Sequence, residues 1–119
     1  MTVKNLILPW PAHELSPNAR VHFQVKAQYA KNARFEGRLI ALSEKFKLPA
    51  SVPLQMTVVI RPPTRRHYDM DNILASCKPA IDGIMSVTDA DDKQIKRVIM
   101  DMEDPWVGGR IEMTIEEMA

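Results

Sequence analysis

Apolar and polar residues alternate along this chain with two different periods, and the switches between them mark its elements. Leu6-Ile7-Leu8, after Met1-Thr2-Val3, reads as a short first strand stopped by Pro9-Trp10-Pro11, where two prolines remove ladder donors. Ala12 to Asn18 is a loop. From Ala19 to Lys47 there is no proline, and Val21, Val25, Tyr29, Ala33, Leu39, Ile40, Leu42 and Phe46 recur at helical spacing. This predicts one long or broken helix with an apolar stripe in the core, and Gly37 is the place for a break. Residues 54–60 form a β-branched strand that ends in Arg61-Pro62-Pro63. Residues 95–102 read as a third strand. Pro105-Trp106-Val107-Gly108-Gly109 supplies a turn, and residues 110–116 alternate as a fourth strand, so the last two strands are expected to pair as a hairpin.

A second helix is expected from Asp71. At about 100° per residue, Asp71, Lys78 and Asp82 share a narrow sector, while Ile73, Leu74, Cys77, Ile81 and Ile84 lie opposite. Pro79 falls inside this helix. It implies either a kink near Ala75 or a turn followed by a shorter helix starting close to Pro79. The sum is an α+β fold in one domain over residues 1–119. It holds a small mixed β-sheet of about four strands with two main helices packed on one side, in a strand order the pattern leaves open.

Composition adds bounds. The chain has 119 residues, 45% hydrophobic and 26% charged, with a formal net charge of +1. A nucleic-acid partner, if there is one, must therefore use a local patch rather than bulk charge. No apolar run spans a bilayer, and Met1-Thr2-Val3-Lys4 does not begin a signal peptide. The single cysteine, Cys77, makes neither an internal disulfide nor a cysteine-rich zinc site, which suits a reducing cytoplasm. No H-E-x-x-H, Walker loop or G-x-G-x-x-G occurs, so zinc hydrolysis and nucleotide-cofactor binding by those routes find no support.

The candidate chemistry lies between residues 61 and 92. Arg65-Arg66-His67 precedes Asp69-Met70-Asp71-Asn72, and Asp91-Asp92 follows about twenty residues on. Carboxylates are the hard ligands Mg²⁺ prefers, and neighbouring arginines can hold a phosphate that the metal polarises. Aspartates also serve as turn and cap residues, and a basic run is commonly a solvated loop. Lys78 reads either as a surface lysine or as a charge reaching a phosphate. Cys77, on the apolar face, is a packed residue.

Taken together, these segments resemble the RusA family of Holliday-junction resolvases. The resemblance rests on Leu8-Pro9-Trp10-Pro11 with Leu15-Ser16-Pro17-Asn18-Ala19-Arg20, on Arg66 through Asp71-Asn72, and on Lys78-Pro79-Ala80-Ile81-Asp82-Gly83. Asp91-Asp92-Lys93-Gln94-Ile95 and the last two strands complete it, so it covers essentially the whole chain. The segment from Asn72 to Lys78 is longer than in the shortest family members by about one helical turn. Ser86-Val87-Thr88 stands where a glycine-and-apolar stretch is more usual.

The resemblance implies a homodimeric, Mg²⁺-dependent endodeoxyribonuclease that resolves four-way DNA junctions by paired symmetric nicks in recombination and repair. Carried over residue by residue, Asp69, Asp71 and Asp92 are the metal ligands, Asp91 is a further candidate, and Lys78 is the catalytic lysine. Arg65, Arg66, His67, Lys93, Lys96 and Arg97 are the expected DNA contacts. Two other readings accompany it. One is a junction-binding protein of the same fold that does not cut, and the other a metal phosphohydrolase acting on a small phosphate substrate.

Overall fold

A computed structural model describes residues 5–118; the expectation about a leader at Met1 to Lys4 lies outside them. The elements in chain order are β1 (Asn5–Pro9), a 3₁₀ turn (His13–Leu15), α1 (Phe23–Ser43), β2 (Leu54–Arg61), α2 (Met70–Met85), a second 3₁₀ turn (Asp92–Gln94), β3 (Ile95–Met102) and β4 (Arg110–Glu117). The α+β class, the four-stranded mixed sheet and the two helices are as expected. Among the described residues no helix is long and apolar enough to cross a membrane.

The sheet has the order β1-β4-β2-β3, with β4 antiparallel to both β1 and β2, and β3 parallel to β2. The expected hairpin of the last two strands is therefore corrected: β2 lies between β3 and β4. The cause is the helix. α2 returns the chain from the end of β2 to the beginning of β3, which must then run parallel to β2 along one of its sides. The chain next passes around the C-terminal end of β2, where Glu103 N–H donates to Ile60 O (2.9 Å) and Trp106 N–H to Pro62 O (3.0 Å). Gly108 and Gly109, at φ of 79° and 73°, complete this turn in a conformation that favours glycine. β4 then takes the other side of β2.

Leu54, Met56, Val58 and Ile60 of β2, Ile111, Met113 and Ile115 of β4, and Leu6 and Leu8 of β1 are all buried on one face. They form one core with Ile73, Cys77, Ile81, Ile84 and Met85 of α2 and with Ala41 of α1. The opposite face of the sheet carries the alternate residues, half-buried along β2 and β4.

Two alternatives left open for the helices are decided. α1 is unbroken, and Gly37 serves the crossing with α2 instead: a Cβ there would overlap the carbonyl oxygen of Ala80. Gly83 does the reciprocal service, since its Cβ would overlap the carbonyl oxygen of Arg34. Backbones this close require small residues on the meeting faces. The inner side of α1 accordingly runs through half-buried Ala33 and buried Gly37 and Ala41. Large members of the expected stripe are displaced outward, leaving Val25, Leu39 and Leu42 exposed along with Phe23 and Phe35. α2 likewise runs through Pro79 as one helix, so no shorter helix begins there. Pro79 lacks an N–H for the carbonyl of Ala75, an exposed position where water can serve instead.

Candidate functional site

α2 begins where the basic loop ends. Asp69 is its N-cap: Oδ1 accepts from the N–H groups of Asp71 (2.9 Å) and Asn72 (3.3 Å), satisfying two of the helix's unpaired donors. Asp71 lies two positions on, about 200° around the helix from Asp69. It joins Lys78 on the exposed face, as the periodicity predicts.

The Asp91-Asp92-Lys93-Gln94 segment has a division of labour. Asp91 caps the second 3₁₀ turn, with Oδ1 accepting from Lys93 N–H (2.8 Å), and Gln94 Oε1 accepts from Asp91 N–H (2.7 Å), forming a capping box. Gln94 Nε2 then donates to the carbonyls of Pro49 and Val52, each at 3.0 Å. The turn is thereby tied to the segment before β2, and Asp92 is held out towards α2.

Lys78 Nζ meets it, 2.9 Å from Asp92 Oδ2 and 3.1 Å from Asp82 Oδ1. The hydrogen bond to Asp92 raises the Lys78 pKa against a smaller opposing effect of desolvation. The hydrogen bond from Lys78 is in turn the main cause lowering the pKa of Asp92. Asp71, Lys78 and Asp92 border one open depression of about 510 Å³, whose apolar lining includes Met56, Leu74, Ile81 and Val98. The partner Asp82 was absent from the expected site residues, although its position four after Lys78 signals it.

Asp69 is not brought to this depression. It lines a separate one of about 280 Å³ with Arg66, His67, Trp10, His13 and Asn72. The aromatic members of this second site were not anticipated. Trp10 and Tyr68 meet edge to face with centroids 5.3 Å apart, and the Arg66 guanidinium lies 4.9 Å from the Tyr68 ring centroid. A hydrogen bond with Thr64 (3.0 Å) is the largest cause lowering the Tyr68 pKa.

The expected DNA contacts are spread over the loop before α2, the second 3₁₀ turn and β3. Arg65, Arg66 and His67 are exposed in the loop beside Asp69, and Lys93 is exposed beside Asp92. Lys96 is exposed at the start of β3. Arg97 is aligned with Gln55, on the sheet face away from the helices, and donates to its Oε1 at 3.0 Å. Cys77 is buried, as expected, and burial pushes its thiol pKa up to about 12, so it is not a nucleophile at neutral pH.

Among the described residues, no three His, Cys, Asp or Glu side chains cluster closely enough to hold a metal ion. Asp71 and Asp92 on one depression nevertheless suit Mg²⁺, which takes one or two protein carboxylates and fills its remaining positions with water and phosphate oxygens.

No family model matches the chain. It is similar to an uncharacterized protein of Xylella fastidiosa (strain Temecula1 / ATCC 700964), with 38% identity over 95 residues. The match takes in 77% of this chain and 62% of that protein, so it spans less than two thirds of the relative's length.

Proposed function

We propose that this chain is a RusA-type, Mg²⁺-dependent endodeoxyribonuclease of the cytoplasm that resolves four-way DNA junctions as a homodimer. The observation that carries the reading is the grouping of Asp71, Lys78 and Asp92 around one open depression, supplied by the same segments on which the resemblance rests. Asp71 and Asp92 would hold the Mg²⁺; the resemblance implies Asp69 as a third ligand, whereas its carboxylate caps α2 and lines the neighbouring depression. When bound, the ion would polarise the scissile phosphate and make an attacking water more acidic.

Lys78 is protonated at neutral pH, as an ordinary lysine is, and its carboxylate partners only raise its pKa further. It therefore acts as a fixed positive charge for the phosphate oxygens as negative charge builds up in the transition state. It does not serve as a base. Arg65, Arg66, His67 and Lys93 grip the backbone on either side of α2's first turn, and Lys96 extends this grip. Such contacts give affinity without base readout and make it salt-dependent.

The use of the Asp69 carboxylate as the cap of α2, in a depression apart from Asp71 and Asp92, favours one second reading, a junction binder that does not cut. Binding to a synthetic four-way junction in Ca²⁺, measured beside cutting of the same junction in Mg²⁺, separates the two. The nuclease reading expects both activities, and binding with no Mg²⁺-dependent product selects the inactive binder.

A further inference from the structure

Trp10 follows β1 and Tyr68 closes the basic loop before α2, and both are only half-buried although they pack against the core. Each ring is held from more than one side. A Cβ on Gly109 would lie 3.0 Å from Trp10 Cδ2 and Cε3, so the backbone there packs directly on the indole. The Tyr68 ring meets Trp10 edge to face, and its hydroxyl is 3.0 Å from the Thr64 hydroxyl. Arg66 lies against the same ring. Aromatic rings kept only for the core would be closed over by apolar side chains. Here the depression of about 280 Å³ that they border also takes in His13, His67, Asp69 and Asn72. Half-buried in its wall, the Asn72 side-chain amide makes no hydrogen bond among the described residues.

We propose that this depression binds one unpaired nucleobase of a DNA strand. Stacking on aromatic rings and a guanidinium is open to every base, because each base has a π-face. The Asn72 amide offers one donor group and one acceptor to the polar edge of that base. The volume is close to the lower end for ligand pockets, about 300 Å³, which suits one base and not a stacked run. Arg65, Arg66 and His67, all exposed in the same loop, supply charge for the flanking phosphates, which favours a base carried on a strand. A paired base cannot enter, since its faces are stacked and its edge is engaged, and it must first leave the helix. The depression therefore separates DNA with unpaired nucleotides from closed duplex. Backbone contacts alone do not make that distinction.

The two depressions lie on either side of the first turn of α2, with Asn72 in one and Asp71 in the other. A strand seated with a base beside Asn72 brings a neighbouring phosphate towards Asp71, Lys78 and Asp92. That consequence rests on the nuclease reading, while the binding of the base does not.

Fluorescence titration of the full chain carrying Trp106→Phe, which leaves Trp10 as its one tryptophan, tests the proposal. The titrants, in EDTA so that nothing is cut, are a short single-stranded oligodeoxynucleotide, the same backbone built of abasic sites, and a closed duplex. The expected result is that the base-bearing strand quenches Trp10 and binds on the order of tenfold or more tighter than the abasic one. The duplex leaves the emission unchanged. Tyr68→Leu removes the advantage of the base-bearing strand and leaves the affinity for the abasic strand as it was, whereas Tyr68→Phe keeps the advantage. The abasic comparison needs no variant in the depression and decides alone if Tyr68→Leu does not fold. An abasic strand bound as tightly, a Trp10 emission indifferent to bases, or a free deoxynucleoside monophosphate bound as tightly as the strand overturns the proposal. Equal binding of the two strands leaves the nuclease reading untouched, and base-dependent binding by a chain that cuts no junction overturns that reading alone.

Discussion

Lys78 Nζ stands 2.9 Å from Oδ2 of Asp92, fourteen positions away in sequence, and this contact joins the exposed face of α2 to the turn before β3. The Asp92 pKa is lowered, so the pair's stabilising contribution is complete above the ordinary carboxylate range and is lost as pH falls through the folded value. The Lys78 pKa is raised, so its contribution is complete below the ordinary lysine range and is lost as pH rises through the folded value. The bridge is therefore intact across neutral pH. In Lys78→Met, the carboxyl titration of Asp92 followed by NMR moves up towards the ordinary value near 4, while stability changes by less than about 1 kcal/mol, as for exposed pairs. An unmoved titration would show that Lys78 is not the partner.

Asp69 and Asp71 have different work despite their closeness. Asp69→Ala removes the cap of α2 and costs about 1 kcal/mol in denaturant unfolding, whereas Asp69→Asn keeps the cap and changes stability little. If Asp69 is also the third acid of the site, Asp69→Asn is folded, binds junctions and does not cut. Full cutting by this variant would assign Asp69 to the cap alone.

The crossing of α1 and α2 depends on two glycines. Gly37→Ala and Gly83→Ala each drive a methyl group into a carbonyl oxygen of the opposite helix. Backbone cannot yield as a flexible side chain does, so each is expected to cost about 1–3 kcal/mol or more. Urea unfolding gives the number. An unchanged midpoint for either variant would mean that the helices cross less closely than described.

α1 ends with Lys45 in the left-handed region at φ 53°, where Lys45 N–H donates to Leu42 O and Phe46 N–H to Ala41 O. This is the helix-ending motif that usually places glycine at that position. Lys45→Gly removes the steric penalty and is expected to raise stability by up to about 1 kcal/mol, set against glycine's larger entropy loss on folding. A clear loss of stability would point to a contact made by the Lys45 side chain.

Much of the fold was legible because its cues are local. The α2 wheel placed Lys78 beside Asp71, and both the strand periods and the turn at Gly108-Gly109 were visible in the chain. The errors came from partners distant in sequence. The signals of β3 and β4 describe each strand correctly but cannot show that β2 stands between them. Hydrophobic periodicity selected the large residues of α1, while the close crossing uses Ala33, Gly37 and Ala41. In the site, D-x-D presents two equivalent acids to a reader of sequence, and the helix geometry separates them. Asp69 turns to the backbone, and Asp71 borders the depression that Lys78 and Asp92 also line.

Cutting of a synthetic four-way junction beside a linear duplex of the same sequence, by the wild type and by Asp71→Asn, tests the central claim most directly. Asp71 borders the depression with Lys78 and Asp92, and no backbone cap depends on its carboxylate. The predicted result is paired symmetric nicks in the junction alone, with Mg²⁺ but not Ca²⁺, abolished in Asp71→Asn while the variant still binds. Cutting that survives Asp71→Asn, or a wild type that binds the junction and leaves it whole, would contradict a nuclease built on Asp71, Lys78 and Asp92.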